Sequence, residues 1–362
     1  MFKLLDFIKQ KIIQQGFITI DEYMSLCLYD PIYGYYSTKQ PFGKSGDFIT
    51  APTTSQVFGE LIGLFLLNTL ACNQITNNIN YIELGPGNGT LLSDILRSWG
   101  RFSNLANVTN FWLVENSLSL RLTQAENLKP YSLPTLQWFD NISDFKVQNQ
   151  YVMLVANEFF DALPVKAFIK INGNWHEQIL MLENDQIKIT HLPIISGNSE
   201  YFNQNYCTAP NGAIIELNHN AGEIAKHIDG LVIENKGIAI IIDYGFVERK
   251  GKFVSTLQSL KKHKFVDNFQ YPGEADITTH VDFVELSKNI INAKYHITTQ
   301  EAFLKTLGVQ ARFEELKKKN PHLKEMLTRQ YERLVSKSQM GELFKVLIIY
   351  HPELEILNSY KL

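Results

Sequence analysis

A β-rich run that ends in an acid, then glycine at every second position, then a helix: this arrangement at residues 81–92, YIELGPGNGTLL, restricts the fold of the chain more than any other feature. Tyr81 to Leu84 favour a short strand, and LLSDILRSWG reads as a helix with a glycine stop. Between them lie Gly85, Gly87 and Gly89. Glycine reaches positive φ without strain and, having no Cβ, lets a ligand lie against main-chain atoms. Each glycine also costs stability, on the order of 0.5–1 kcal/mol, through the entropy of the unfolded chain. A turn that held nothing would not need three. Strand, bare turn and helix in this order begin a parallel α/β sheet, where ligands bind beyond the carboxyl ends of strands.

The alternation continues downstream. NFWLVE reads as a second strand, SLRLTQAENL as a helix, TLQWF as a third strand and YVMLVANEFF as a fourth that ends near Asn157. Short apolar strands separated by helices predict a parallel sheet covered on both faces. The pattern then breaks. VKAFIKINGNWHEQILML holds two β-like runs around Asn172-Gly173, a hairpin signal, and DQIKITHL extends that sheet. A helix is expected at about 219–236, and GIAIIIDYG (237–245) is apolar enough to be a central strand. Residues 246–330 read as a loop followed mostly by helices, and FKVLIIY (344–350) as a closing strand. At the start, Phe2, Leu5, Ile8, Ile12 and Ile13 follow helical spacing. The organisation expected is an N-terminal helical cap, 1–75, carrying the loop GDFIT, and a main domain, 76–362, with insertions at about 166–215 and 246–330.

Composition removes several classes of function. The chain has 362 residues, 45 % hydrophobic and 20 % charged, as in an ordinary globular protein. A net charge of −3 argues against nucleic-acid binding through a bulk basic surface. Cys27, Cys72 and Cys207 form no C-x-x-C, and the histidines form no H-E-x-x-H, so neither a disulfide framework nor a metal site is expected. The longest apolar run, LIGLFLLNTLAC, is too short to span a bilayer. The N-terminal segment has the features of neither a signal nor a transit peptide. The expected location is a bacterial-type cytoplasm, or the mitochondrial matrix for a processed eukaryotic protein.

The spacing of the turn separates two kinds of cofactor. A dinucleotide fingerprint, G-x-G-x-x-G, would need a third glycine where this chain has Thr90. The pattern present is E-x-G-x-G-x-G from Glu83, the form found in S-adenosylmethionine-dependent methyltransferases. Glu115 closes the second strand, where a carboxylate can accept both ribose hydroxyls. Asn157, Glu158 and Asp161 follow the fourth strand. Methyl transfer is an in-line displacement that needs a nucleophile held with its lone pair free. An amide oxygen orients N–H bonds, carboxylates pair with a guanidinium, and Phe159 and Phe160 could wall such a pocket. The same segment would serve equally as a helix N-terminus capped by Asn157. Asp47, read alone, is a turn residue.

Seven segments in order, YDPIYGYY, GDFITAPTTSQVFGE, ELGPGNGTLLSDILR, ANEFFDALPV, IIDYG, YPGEADITTHVDF and MGELFKVLII, resemble the MidA family over about residues 20–350. That family is the class I methyltransferase-like group that includes the mitochondrial complex I assembly factor. The resemblance implies a Rossmann-like core, S-adenosylmethionine as cofactor and a protein arginine as methyl acceptor. In the mitochondrial relatives the acceptor belongs to a respiratory complex I subunit. It places the cofactor turn on Glu83, Gly85, Gly87 and Gly89, the ribose acid on Glu115, and the acceptor side on Asn157, Glu158 and Asp161. Asp47 and Asp243 fall on two further acidic motifs. Where the family usually reads Ala-Pro-Glu after GDFIT, this chain has Thr53. A protein arginine methyltransferase is the favoured expectation. An assembly chaperone that binds cofactor and a small-molecule methyltransferase stand behind it, and the glycine spacing disfavours a dehydrogenase.

Overall fold

The structure, a computed structural model, describes residues 4–38, 50–102, 104–145, 147, 149–194, 196–249 and 253–356, without the side chains of 196–198. The chain forms two compact units. One comprises Phe42–Phe160, Gly222–Val247 and Val281–Leu362; the other comprises Met1–Pro41, Asp161–Ala221 and Glu248–His280.

The first unit is built on a sheet of β1 (Ile79–Leu84), β2 (Thr109–Val114), β3 (Leu136–Phe139), β4 (Tyr151–Asn157), β5 (Ile238–Phe246), β6 (Lys294–Thr299) and β7 (Phe344–Tyr350). Their spatial order is 3-2-1-4-5-7-6. β1 to β5 run parallel, and β7 is antiparallel to both β5 and β6. The apolar runs of β1, β4 and β5 follow from this placement: each is buried almost throughout, so no face is left for polar alternation. The chain moves outward from β1 to β3 and then returns to β4 on the other side of β1. The order therefore reverses between β1 and β4, and the crevice beyond their carboxyl ends is where an open α/β sheet binds its ligand.

Two helices hold the start of this crevice. Gln56–Cys72 begins at Ser55, whose hydroxyl accepts the N–H of Val57, and it is buried on most sides. Thr90–Phe102, which follows the glycine turn, packs closely against it. At Gly59 a Cβ would come within 2.5 Å of the Asp94 Cβ, so only glycine permits the approach. The Trp99 indole N–H donates to the Gly63 carbonyl at 2.8 Å, and its ring meets Tyr81 and Phe111. Fully burying one such side chain stabilises by about 1.5–3 kcal/mol, so this aromatic group anchors helix and turn to β1. Glu60, buried in the same helix, is satisfied by Arg312 at 2.9 Å. Among the described residues no helix is long and apolar enough to cross a membrane.

The second unit is antiparallel. Strands Ile18–Thr19, Lys166–Ile171, Asn174–Glu183, Gln186–Pro193 and Ile214–Leu217 form one sheet. Asn172 and Gly173 lie at φ 49° and 84°, which makes the expected hairpin turn. Phe168, Trp175, Phe202 and Tyr206 form its core. A second sheet joins Gln258–Lys261, Lys264–Val266 and Asp276–Thr278.

Residues 246–330 thus contain more strand than the sequence suggests. The short strands around Lys262-His263 are lysine-rich, and β6 is an edge strand without a buried face, so neither carries an apolar pattern. The N-terminal residues are shared between the units: Leu4–Gln15 and Ile20–Tyr29 lie in the antiparallel one, Gln56–Cys72 in the other. Most of the GDFIT loop, with Asp47, lies outside the described residues.

Candidate active site

The turn after β1 is held open by its own backbone. Gly85, Gly87 and Gly89 take φ of 60°, 56° and 81°, where a Cβ would be strained. The Gly85 N–H donates to Val114 O at 3.0 Å, and the Gly89 N–H to Pro86 O at 2.8 Å. A Cβ on Gly85 would also lie 2.9 Å from Cδ2 of Phe159, which comes across from the end of β4. The result is a cradle of main chain that one methyl group would fill.

Two carboxyls flank it. Glu83 is 2 % exposed, and the Tyr81 hydroxyl donates to its Oε2 at 2.7 Å. Burial pushes the Glu83 carboxyl up to about 7, against the pull of that hydroxyl. Glu115 follows β2. Its Oε1 accepts the Ser117 N–H at 2.9 Å, and its Oε2 accepts the Gln124 amide at 3.2 Å. Burial raises its pKa, and these two hydrogen bonds, the Arg121 charge and a further hydrogen bond from the Asn116 backbone oppose the rise.

Beyond β4 the chain enters a turn, not a helix, so Asn157 caps nothing. Glu158 sits at φ 51° with its N–H on Ile242 O at 2.8 Å. Its Oε1 accepts the Ala51 N–H at 3.2 Å and the Asn157 Nδ2 at 3.2 Å. That bond directs Asn157 Oδ1 the other way, where it is buried without a hydrogen-bond partner among the described residues. Asp243, fully buried, accepts the N–H groups of Phe160 and Tyr244 at 2.9 Å each, and so pins the turn from β5. Phe160 is buried in this anchoring, while Phe159 reaches Gly85. The Thr53 hydroxyl turns back onto the Thr50 carbonyl at 3.0 Å.

β1, β2 and β4 therefore bring Glu83, Gly85, Gly87, Gly89, Glu115, Asn157 and Glu158 to the carboxyl end of one sheet. Asp161 belongs to the other unit, where it is 6 % exposed and its carbonyl accepts the Thr279 N–H at 3.0 Å. Sequence reasoning missed Tyr81 and Gln124. Tyr81 stands two positions before Glu83, on the same face of β1, and that spacing could have revealed it. Gln124, in the middle of a helix, gave no local signal.

The residues present fit the cofactor that the spacing suggests. The cradle admits a ligand against bare backbone, and Glu115 beside it keeps acceptor capacity beyond its hydrogen bonds from Ser117, Gln124 and Asn116.

Comparison with known proteins defines the class. Residues 61–301 match the family described as "Putative S-adenosyl-L-methionine-dependent methyltransferase". The chain belongs to this family and is a methyltransferase with S-adenosylmethionine as its cofactor. It is 30 % identical to the mitochondrial protein arginine methyltransferase NDUFAF7 of Danio rerio over 94 % of this chain and 85 % of that protein. The Homo sapiens protein of the same name is 30 % identical over 94 % and 82 %. A methyltransferase-like protein from Burkholderia thailandensis, solved with bound S-adenosyl-homocysteine, shares the fold. Its TM-score is 0.86 at 24 % identity, covering 99 % of this chain and 94 % of that one.

Proposed function

We propose that the chain methylates a guanidinium nitrogen of a protein arginine, with Glu83, Gly85, Gly87, Gly89 and Glu115 holding the cofactor and Asn157 and Glu158 facing the acceptor. The observation that carries the acceptor side is the buried, unpartnered Oδ1 of Asn157. Leaving such an acceptor unmatched costs about 1–3 kcal/mol, and an N–H of the substrate nitrogen removes that cost. A carboxylate or thiolate acceptor has no proton to offer it.

The cofactor, when bound, supplies an electrophilic sulfonium methyl. The protein's part is to bind and orient. Glu115 accepts a ribose hydroxyl, and the glycine turn receives the amino-acid tail beside Glu83. A guanidinium is a weak nucleophile while its charge is spread over three nitrogens. The Glu158 carboxylate draws that charge toward one side and takes the proton that the nitrogen gives up on methylation, and Asn157 turns an N–H so that the lone pair of the same nitrogen is free. Asp161 and Asp47 complete the acceptor side in this reading, on the resemblance of their motifs.

The relatives' names support protein arginine as the acceptor. The resemblance of the sequence supports a respiratory complex I subunit as the protein that carries it. The reading places the chain in a bacterial-type cytoplasm, or in the mitochondrial matrix, as those relatives are labelled, if it is eukaryotic. Mass spectrometry of arginine methylation in cells with and without the gene tests the activity. One or more arginine sites should lose their methyl groups with the gene; an identical set of sites in both refutes it.

A further inference from the structure

We propose that Gln124 is the positioning residue that sets the Glu115 carboxylate against the glycine turn for the cofactor's ribose, with Trp138 fixing the direction of its amide. The inference rests on the reading of Glu115 as the ribose acid.

Gln124 lies on the helix Leu118–Leu128 and is fully buried. Its Nε2 donates to the Gly87 carbonyl at 2.7 Å and to Glu115 Oε2 at 3.2 Å. Its Oε1 accepts the Trp138 indole N–H at 2.7 Å, from β3. One amide thus joins the turn after β1, the acid after β2 and the strand beyond. Only one orientation satisfies the three partners. An indole N–H can only donate, so it must face the amide oxygen, and the two donor hydrogens must face the carbonyl and the carboxylate. A flipped amide would set oxygen against two acceptors and N–H against N–H.

The same side chain backs the third glycine: a Cβ on Gly89 would lie 3.6–3.7 Å from Gln124 Cα, Cβ and Cγ. The lone pairs of Glu115 complete the argument. An ionised carboxylate has about four acceptor positions. Ser117 N–H takes one and Gln124 another, each on a different oxygen. The Asn116 N–H takes a third, which leaves about one position for a ribose hydroxyl.

Isothermal titration of the full chain with S-adenosyl-homocysteine and with its 2′-deoxy analogue tests this. The wild type should bind the parent roughly 30-fold more tightly, the value of a hydrogen bond to a charged acceptor. Gln124→Met, which keeps the length and removes the amide, should reduce that discrimination to about threefold. Measured against the wild type over the same range, Gln124→Glu should lose affinity from pH 6 to pH 8, because a second carboxylate beside Glu115 must be protonated to donate. If Gln124→Met fails to fold, Trp138→Phe carries the same test, with an expected loss of about fivefold in discrimination. Full discrimination in Gln124→Met, or in Trp138→Phe where that is the variant measured, overturns the role of Gln124 and leaves Glu115 as the ribose acid. A wild type that binds both ligands equally overturns the ribose reading and the inference together.

Discussion

The turns after β1 and β4 stand side by side at the carboxyl end of one sheet, and both leave the ordinary right-handed backbone. The first does so with three glycines and so removes every side chain from a ledge. The second does so with Glu158 at φ 51°, a conformation that costs a side-chain-bearing residue roughly 1 kcal/mol. That strain is held in place by the Glu158 N–H bond to the Ile242 carbonyl and by the bonds its carboxylate accepts from Ala51 and Asn157, with Asp243 fixing the residues beyond. The contrast separates two tasks. One turn leaves its backbone bare; the other, in the proposed function, aims a carboxylate and an amide oxygen at the methyl acceptor.

The comparison breaks most clearly on the acceptor side. Glu158→Gln should lower methyl transfer by about 10²–10⁴-fold and leave the Kd for S-adenosyl-homocysteine within about threefold. Transfer at the wild-type rate would show that the strained turn serves the fold alone. Single-turnover kinetics beside titration makes the distinction. On the cofactor side, Gly85→Val meets both positive φ and the Phe159 ring. It should weaken cofactor binding on the order of 100-fold and cost about 2–3 kcal/mol in urea unfolding. Binding preserved in that variant would mean that the ledge is not where the ligand lies.

The smallest effect is one of pH. Glu83 is held at about 7 in the fold, above its ordinary 4.5, so between those values the folded chain binds more protons than the unfolded one. Stability should therefore fall as pH rises from about 4.5 to about 7 and then level off. The part due to Glu83 is on the order of 3 kcal/mol at most. Glu83→Gln keeps an acceptor for Tyr81 and should lose that part of the slope, as read from unfolding midpoints at pH 5 and pH 8. An unchanged slope would place the titration elsewhere.

Much of this site could be read from short stretches. The glycine spacing, the acid that ends β2 and the apolar run before Asn157 are local patterns, set by strand alternation and by what a turn tolerates. Segments with a weak apolar signal escaped, as β6 and the lysine-rich strands show. So did contacts between distant positions. Nothing around Gln124 announces that its amide meets Gly87, 37 positions earlier. Likewise, nothing in NEFFDALPV tells that Asn157 and Asp161, four residues apart, fall into different compact units.

The sequence by itself determined the parallel sheet, the bare ledge and the kind of cofactor, because strand period, glycine and acid spacing act over a few residues. Only the tertiary structure decided which groups meet there: Tyr81 on Glu83, Gln124 between Gly87 and Glu115, Asp243 beneath the turn after β4. Those partners are chosen by side-chain packing across strands and helices, where burial forces each polar atom to find a match that no local pattern names.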